Sequence, residues 1–189
     1  MKQGKTPWRA VAGVMLWAGW MASAAGDVTV VFEEDAPRDR FVIANGGPCD
    51  LPPFELTIDL AGSTGRLIFD TVPGGAGENV AQPLQVAEGG EMATVQGAVE
   101  DGAEQAQLLV DGLAVGARIV VTVDVDDRVP AGPRGQQMIA GSEVAGAMAT
   151  LAVASGEAWG GTFDAEGRLV MAGPPCGAQR RAHGPGDEP

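Results

Sequence analysis

A strictly alternating stretch near the middle of the chain, residues 113–127 (LAVGARIVVTVDVDD), constrains the fold more than any other feature. Every second residue from 119 to 125 is Ile or Val, while the residues between them become acidic towards the end: Val120, Thr122, Asp124 and Asp126. Alternation of this kind is typical of a strand with one face in a hydrophobic core and the other in water. We therefore expect a central β-strand whose solvent face ends in carboxylates.

Short apolar runs between Gly- and Pro-rich turns predict further strands along most of the chain. FELTIDL (54–60) and RLIFD (66–70) are predicted to form one hairpin, and residues 160–164 and 168–172 a last one. Residues 136–154 are rich in Ala and Gly, but their apolar spacing does not follow a 3.6-residue period, so we expect two strands there.

About eleven strands without a convincing helix predict an all-β fold, an immunoglobulin-like antiparallel β-sandwich with a C-terminal β-meander. Residues 26–176 form the expected domain, and residues 177–189 a disordered tail. Two arrangements remain open. The chain either builds one enlarged sandwich, or it has a sub-boundary near 128–135 with the meander packed on the first part.

The first 25 residues have the layout of a secretory signal peptide. A basic start is followed by an apolar run from residue 10 to 20 and by the small residues Ala22, Ser23, Ala24 and Ala25. The alternative is an uncleaved anchor, although 17 uncharged residues, from 10 to 26, are at the lower limit for crossing a bilayer. We expect an exported protein, periplasmic or extracellular, with no membrane span after cleavage.

Removal of the signal peptide leaves a strongly acidic chain. Nine arginines then stand against 25 acidic side chains, which gives a net charge of −16. Such a chain repels nucleic acid and anionic lipid, because those partners require basic patches. The expected partner is instead a protein or glycan at the cell surface.

The two cysteines, Cys49 and Cys176, are the whole cysteine complement of the chain. An even count in an exported protein predicts one disulfide, because such bonds persist in oxidising compartments. The alternative is a pair of free, partly buried thiols.

Several segments resemble one family of small exported bacterial proteins, the aggregation factor core proteins. The segments that carry the resemblance are DRFVIANGGPCDL (39–51), FELTIDL, RLIFD, residues 113–127, and MIAGSEVAGAMATLAVA followed by TFDAEGRLVM (138–171). These are strand and turn patterns rather than chemical signatures. The resemblance implies an exported β-sandwich and, through the sponge aggregation factor that gives the family its label, calcium-dependent cell adhesion.

Asp124, Asp126 and Asp127 are the candidate metal ligands, with calcium as the expected ion. Calcium takes six to eight oxygen ligands, so a neighbouring loop would have to add oxygens from Asp59, Asp70 or backbone carbonyls. The competing interpretation is a solvated strand end whose charges discourage pairing with another chain.

No catalytic arrangement emerges from the sequence. The single histidine, His183, falls in the expected tail, and Ser63 lacks the surrounding pattern of a nucleophile elbow. Trp159 is interpreted as the cap of a core rather than as an anchor for a partner. We therefore expect a non-catalytic protein that acts in surface adhesion, aggregation or extracellular assembly. The alternative is a periplasmic ligand-binding or accessory module.

Overall fold

A computed structural model describes residues 25–35, 38–77, 80–128 and 138–177. The predicted signal peptide (apart from Ala25), most of the possible sub-boundary at 128–135 and nearly all of the predicted tail lie outside these ranges. Among the described residues, no helix is long and apolar enough to cross a membrane.

The described chain is an antiparallel β-sandwich, which confirms the all-β prediction. Its strands are β1 (Ala25–Glu33), β2 (Asp39–Asn45), β3 (Phe54–Asp59), β4 (Leu67–Asp70), β5 (Gln85–Glu88), β6 (Ala93–Val95), β7 (Gln105–Val110), β8 (Arg118–Asp127), β9 (Met148–Val153), β10 (Ala158–Thr162) and β11 (Arg168–Pro175). One sheet has the order β11-β1-β2-β8-β4, with β5 also paired to β8, and the other has the order β10-β9-β3-β7-β6.

The two sheets enclose one hydrophobic core that draws on nearly every strand. Phe41 on β2 lies near its centre and makes tilted or edge-on ring contacts with Phe32, Phe69 and Phe163, at centroid distances of 5.3 to 6.4 Å. The same core extends into β11 through Leu169. The C-terminal strands are thus built into both sheets.

The long strand β8 is an interior strand of the first sheet, paired along both of its edges. Residues 118–123 pair with β2 on one side. Two short strands share its other edge, with β5 opposite residues 120–122 and β4 opposite residues 124–127. The inward side chains of β8 are completely buried.

The expectation that the outer face of β8 is exposed to solvent is wrong. Asp124 is only 3% exposed and Asp126 only 1%. Gly77, which follows β4, lies against this face, since a Cβ atom added there would come within 2.8 Å of the Asp70 and Asp126 carboxylates. Period-two alternation reports which residues share a face, but it does not report whether a loop covers that face.

Both hairpin predictions are also wrong. β3 pairs with β7 and β9, whereas β4 belongs to the other sheet and pairs with β8. In the same way, β10 pairs with β9 and β11 pairs with β1. The intervening turns exist, but each leads the chain from one sheet to the other.

The prediction of two strands in 136–154 holds for one of them. β9 is a strand, but it is preceded by a single helical turn, α1 (Gly141–Val144). The Glu143 carboxylate accepts the N–H of Ala140 at 2.9 Å, which fixes the start of this turn. Residues 136 and 137 lie outside the described chain.

Candidate functional site

Three buried carboxylates meet on the outer face of the first sheet, where β4 pairs with the end of β8. One carboxylate oxygen each from Asp70, Asp124 and Asp126 lies within 4.8 Å of the others. The strand register explains the grouping, since Asp70 is directly opposite Asp124 and Asp126 follows two residues later on the same face. We call these three residues the acidic cluster.

The side chain of Asp70 has an unusual environment. The residue is 0% exposed, and no hydrogen-bond donor reaches either of its carboxylate oxygens. Burial and the neighbouring carboxylates of Asp101 and Asp126 raise the pKa of Asp70 to about 7. Burial, together with the charges of Asp126, Asp39 and Asp70, raises the pKa of Asp124 to about 8.

Asp39, at the start of β2, borders the acidic cluster. Its pairing with Val123 is the last between β2 and β8, and its carboxylate then accepts the N–H of Val125 at 3.0 Å. It also accepts the N–H of Asp35 at 3.0 Å. Burial outweighs these two hydrogen bonds and raises the pKa of Asp39 to about 6.

Asp101 borders the cluster on the opposite side and organises the chain that follows β4. Its carboxylate accepts three backbone hydrogen bonds, from the N–H groups of Thr71, Val72 and Ala76 at 2.7 to 3.1 Å. Burial acts to raise the pKa of Asp101, but these donors outweigh it and lower the pKa. The carboxylate of Asp101 therefore favours the ionised form, next to Asp70.

The backbone of Gly77 covers the acidic cluster directly. A Cβ atom added at this position would lie 2.7 Å from the Asp70 carboxylate and 2.8 Å from that of Asp126. Only a residue without a side chain allows the main chain to approach so closely. Chemically, such a dry group of carboxylates can share protons or hold a hard cation.

The structure separates the three candidate metal ligands predicted from the sequence. It brings Asp124 and Asp126 together with Asp70, one of the two suggested additional ligands, whereas Asp59 instead accepts hydrogen bonds from Ala61 and Gln105. Asp127 lies outside the cluster, because its side chain faces the opposite side of β8.

Asp127 lines a groove of about 270 Å³ at one end of the described sandwich. The other charged side chains in its lining are Arg66, Glu104 and Arg128. Arg128 forms a long ion pair with Glu104 at 3.5 Å. Arg66 has a left-handed backbone, with φ of 54°, which is unusual for a residue other than glycine.

Sequence reasoning missed Asp39 and Asp101 as neighbours of the acidic cluster. Asp39 directly precedes an apolar strand, but a carboxylate there also fits an ordinary loop. Asp101 stands before Gly102 in a turn, where aspartate is common for local reasons. Their proximity depends on strand register and on pairings distant in sequence, so neither position carried a readable signal.

The predicted disulfide is present. Cys49 and Cys176 are bonded, with Cα atoms 5.8 Å apart and a sequence separation of 127 residues. Trp159 is half-buried and packs against the hydrophobic core, in agreement with the interpretation of a cap.

Comparison with protein-family models gives no match for this chain, and comparison with curated proteins gives none either.

Proposed function

We propose that this protein is an exported, non-catalytic β-sandwich that works by binding, in cell-surface adhesion, aggregation or the assembly of extracellular material. One observation carries the proposal: a disulfide between Cys49 and Cys176 links the segment after β2 to the end of β11. Disulfides persist mainly outside the reducing cytosol, and a disulfide across a long loop stabilises the folded domain in such an environment.

The adhesive part of the proposal rests on the resemblance to aggregation factor core proteins, and two of the segments that carry this resemblance, 39–51 and 113–127, contact each other. The Asn45 carboxamide, in the first segment, donates to the carbonyl of Leu113, in the second, at 2.8 Å. The main-chain carbonyl of Asn45 also accepts the N–H of Gly116 at 2.9 Å. These two segments thus form one structural unit of the described sandwich.

Deletion of the gene in the producing cell tests adhesion. We expect reduced clumping and biofilm, restored by the wild-type gene supplied in trans. Fractionation of the complemented strain should find the protein outside the cytosol, with no free thiols. Unchanged clumping after deletion would contradict the adhesive role, while a cytosolic protein would contradict export.

A second candidate, a ligand-binding or accessory module in the periplasm, is favoured by the end groove. Among the described residues, no carboxylate forms an ion pair with Arg66, although the chain has a large excess of acids. Arg66 and Arg128 would suit a small carboxylate. NMR titration with glutamate tests this candidate. Shifts at the groove that disappear in Arg66→Gln support it, and no shifts at millimolar glutamate count against it.

A further inference from the structure

We propose that Asp70, Asp124 and Asp126 bind one calcium ion. This inference goes beyond the adhesive function and holds whether or not the protein acts in adhesion. It begins from the register of β4 and β8, which places Asp70 and Asp124 directly opposite each other. Like charges at opposed positions of a sheet are destabilising, and burial increases their repulsion. A bound dication turns this unfavourable arrangement into a favourable one.

The second observation is the environment of the Asp70 carboxylate. Both of its oxygens are buried, no donor reaches them, and the residue is 0% exposed. Its side-chain neighbours are the carboxylates of Asp101, Asp124 and Asp126. Burial of a carboxylate without hydrogen bonds is costly, so buried acids are normally paired with a cation or coordinate a metal. Calcium would supply the partner that the protein itself does not.

The competing interpretation, a solvated strand end that guards a sheet edge, does not fit the structure. The three residues are 0 to 3% exposed, so water does not solvate them. This part of β8 is also paired with β4, so the edge that the charges would guard is already occupied.

The spacing of the carboxylates suits one ion. The three oxygens lie within 4.8 Å of one another. Two ligands on opposite sides of calcium, each at 2.3–2.6 Å, are at most about 5 Å apart. The second oxygens of the same carboxylates raise the possible ligand count towards six.

The donor set distinguishes calcium from other common metals. The three ligands are all carboxylates, which suit hard cations, whereas zinc in proteins usually takes thiolate or imidazole ligands as well. Magnesium dehydrates reluctantly and usually keeps several waters. A site whose ligands are this deeply buried, under the backbone of Gly77, leaves little room for those waters.

Isothermal titration of the purified, disulfide-bonded protein with CaCl₂ tests the proposal, after removal of metals with EDTA and buffer exchange. Asp70→Asn and Asp124→Asn each remove one ligand charge with little change in shape, and Asp111→Asn is the matched control at an exposed position. We expect one site in the wild type and in the control. Each cluster variant should bind calcium at least about 100-fold more weakly.

Thermal unfolding of the same proteins guards against a variant that simply fails to fold. With EDTA present, Asp70→Asn should melt at least as high as the wild type, because it relieves repulsion, and calcium should no longer raise its melting temperature. A wild type with no heat signal and no thermal response to millimolar CaCl₂ would overturn the proposal. So would undiminished calcium binding by both cluster variants, or binding of MgCl₂ as tight as that of CaCl₂.

Discussion

Asp70 and Asp124 determine how the stability of the calcium-free protein depends on pH. Burial is the main cause that raises their pKa values from 3.8 to about 7 and about 8. Carboxylates of Asp39, Asp101 and Asp126 face them and add to the effect. At a pH between 3.8 and these raised pKa values, the folded protein binds more protons than the unfolded chain does. The contribution of these two groups to the free energy of unfolding is therefore largest at low pH, and it falls as pH rises through about 8.

Urea unfolding with chelator present checks this dependence. We expect the wild type to be less stable at about pH 8 than at about pH 5, and Asp70→Asn to gain about 1–3 kcal/mol on the wild type at the higher pH. Saturating calcium should remove most of the decline, since the ion favours the ionised carboxylates. A wild-type protein that gains stability between those two pH values in chelator would contradict the prediction.

Gly77 is the residue at which a single methyl group should disturb the acidic cluster. In Gly77→Ala the new Cβ would fall 2.7 Å from the Asp70 carboxylate, so the main chain or the carboxylate must move. Overpacking of this kind costs about 1–3 kcal/mol, and we expect calcium affinity to fall about 10-fold or more. Gly90→Ala is the control, because nothing lies within 4 Å of its added Cβ. Equal calcium affinities for the two variants would refute a close approach at Gly77.

At the scale of elements, Asn45 joins the end of β2 to two other parts of the chain. Its buried carboxamide donates to the carbonyls of Cys49 and Leu113 and accepts the N–H of Gly47. Asn45→Ala leaves these groups without their partner, which should reduce the free energy of unfolding by about 2–3 kcal/mol. Urea unfolding measures the change, and Gln96→Ala, at an exposed position, should cost less than about 0.5 kcal/mol. A similar small cost for Asn45→Ala would contradict this account.

The strands themselves were readable from the sequence, whereas their partners were not. β8 and β2 follow period-two patterns that burial imposes on any half-buried strand, so local residues suffice to predict them. The assignment of β3 and β4 to one hairpin failed because a short turn also suits a chain that crosses between sheets. Only the whole set of packed faces decides between those outcomes.

The candidate site was half predictable for the same reason. Asp124 and Asp126 share a face because they are two residues apart, and this is local information. Asp70 joins them through the register of β4 and β8, across more than fifty residues of chain. Asp70 and Asp126 are also covered by Gly77, which lies outside both strands. Alternation predicts that Asp124 and Asp126 share a face of β8, but it does not predict that other parts of the chain bury this face.

At the scale of the whole molecule, the disulfide and the acidic cluster restrain different parts of the described sandwich. Cys49 follows β2, and Cys176 follows the last strand, β11, so the bond holds together two distant parts of the chain. The cluster joins β4 to β8 within the first sheet. Because they share no residues, their contributions to stability should be nearly additive.

Removal of the disulfide provides the test at this scale. A loop of 127 residues contributes about 4–5 kcal/mol on the chain-entropy model, so the double variant Cys49→Ser/Cys176→Ser should lose stability of that order. Urea unfolding with and without reductant measures it, and reductant should destabilise the wild type but leave the double variant unchanged, which serves as the internal control. The calcium-dependent increase in stability should survive in the double variant if it remains folded, because the cluster lies within the first sheet. A folded double variant that no longer responds to calcium, although the wild type does, would show that the disulfide and the cluster are coupled rather than independent.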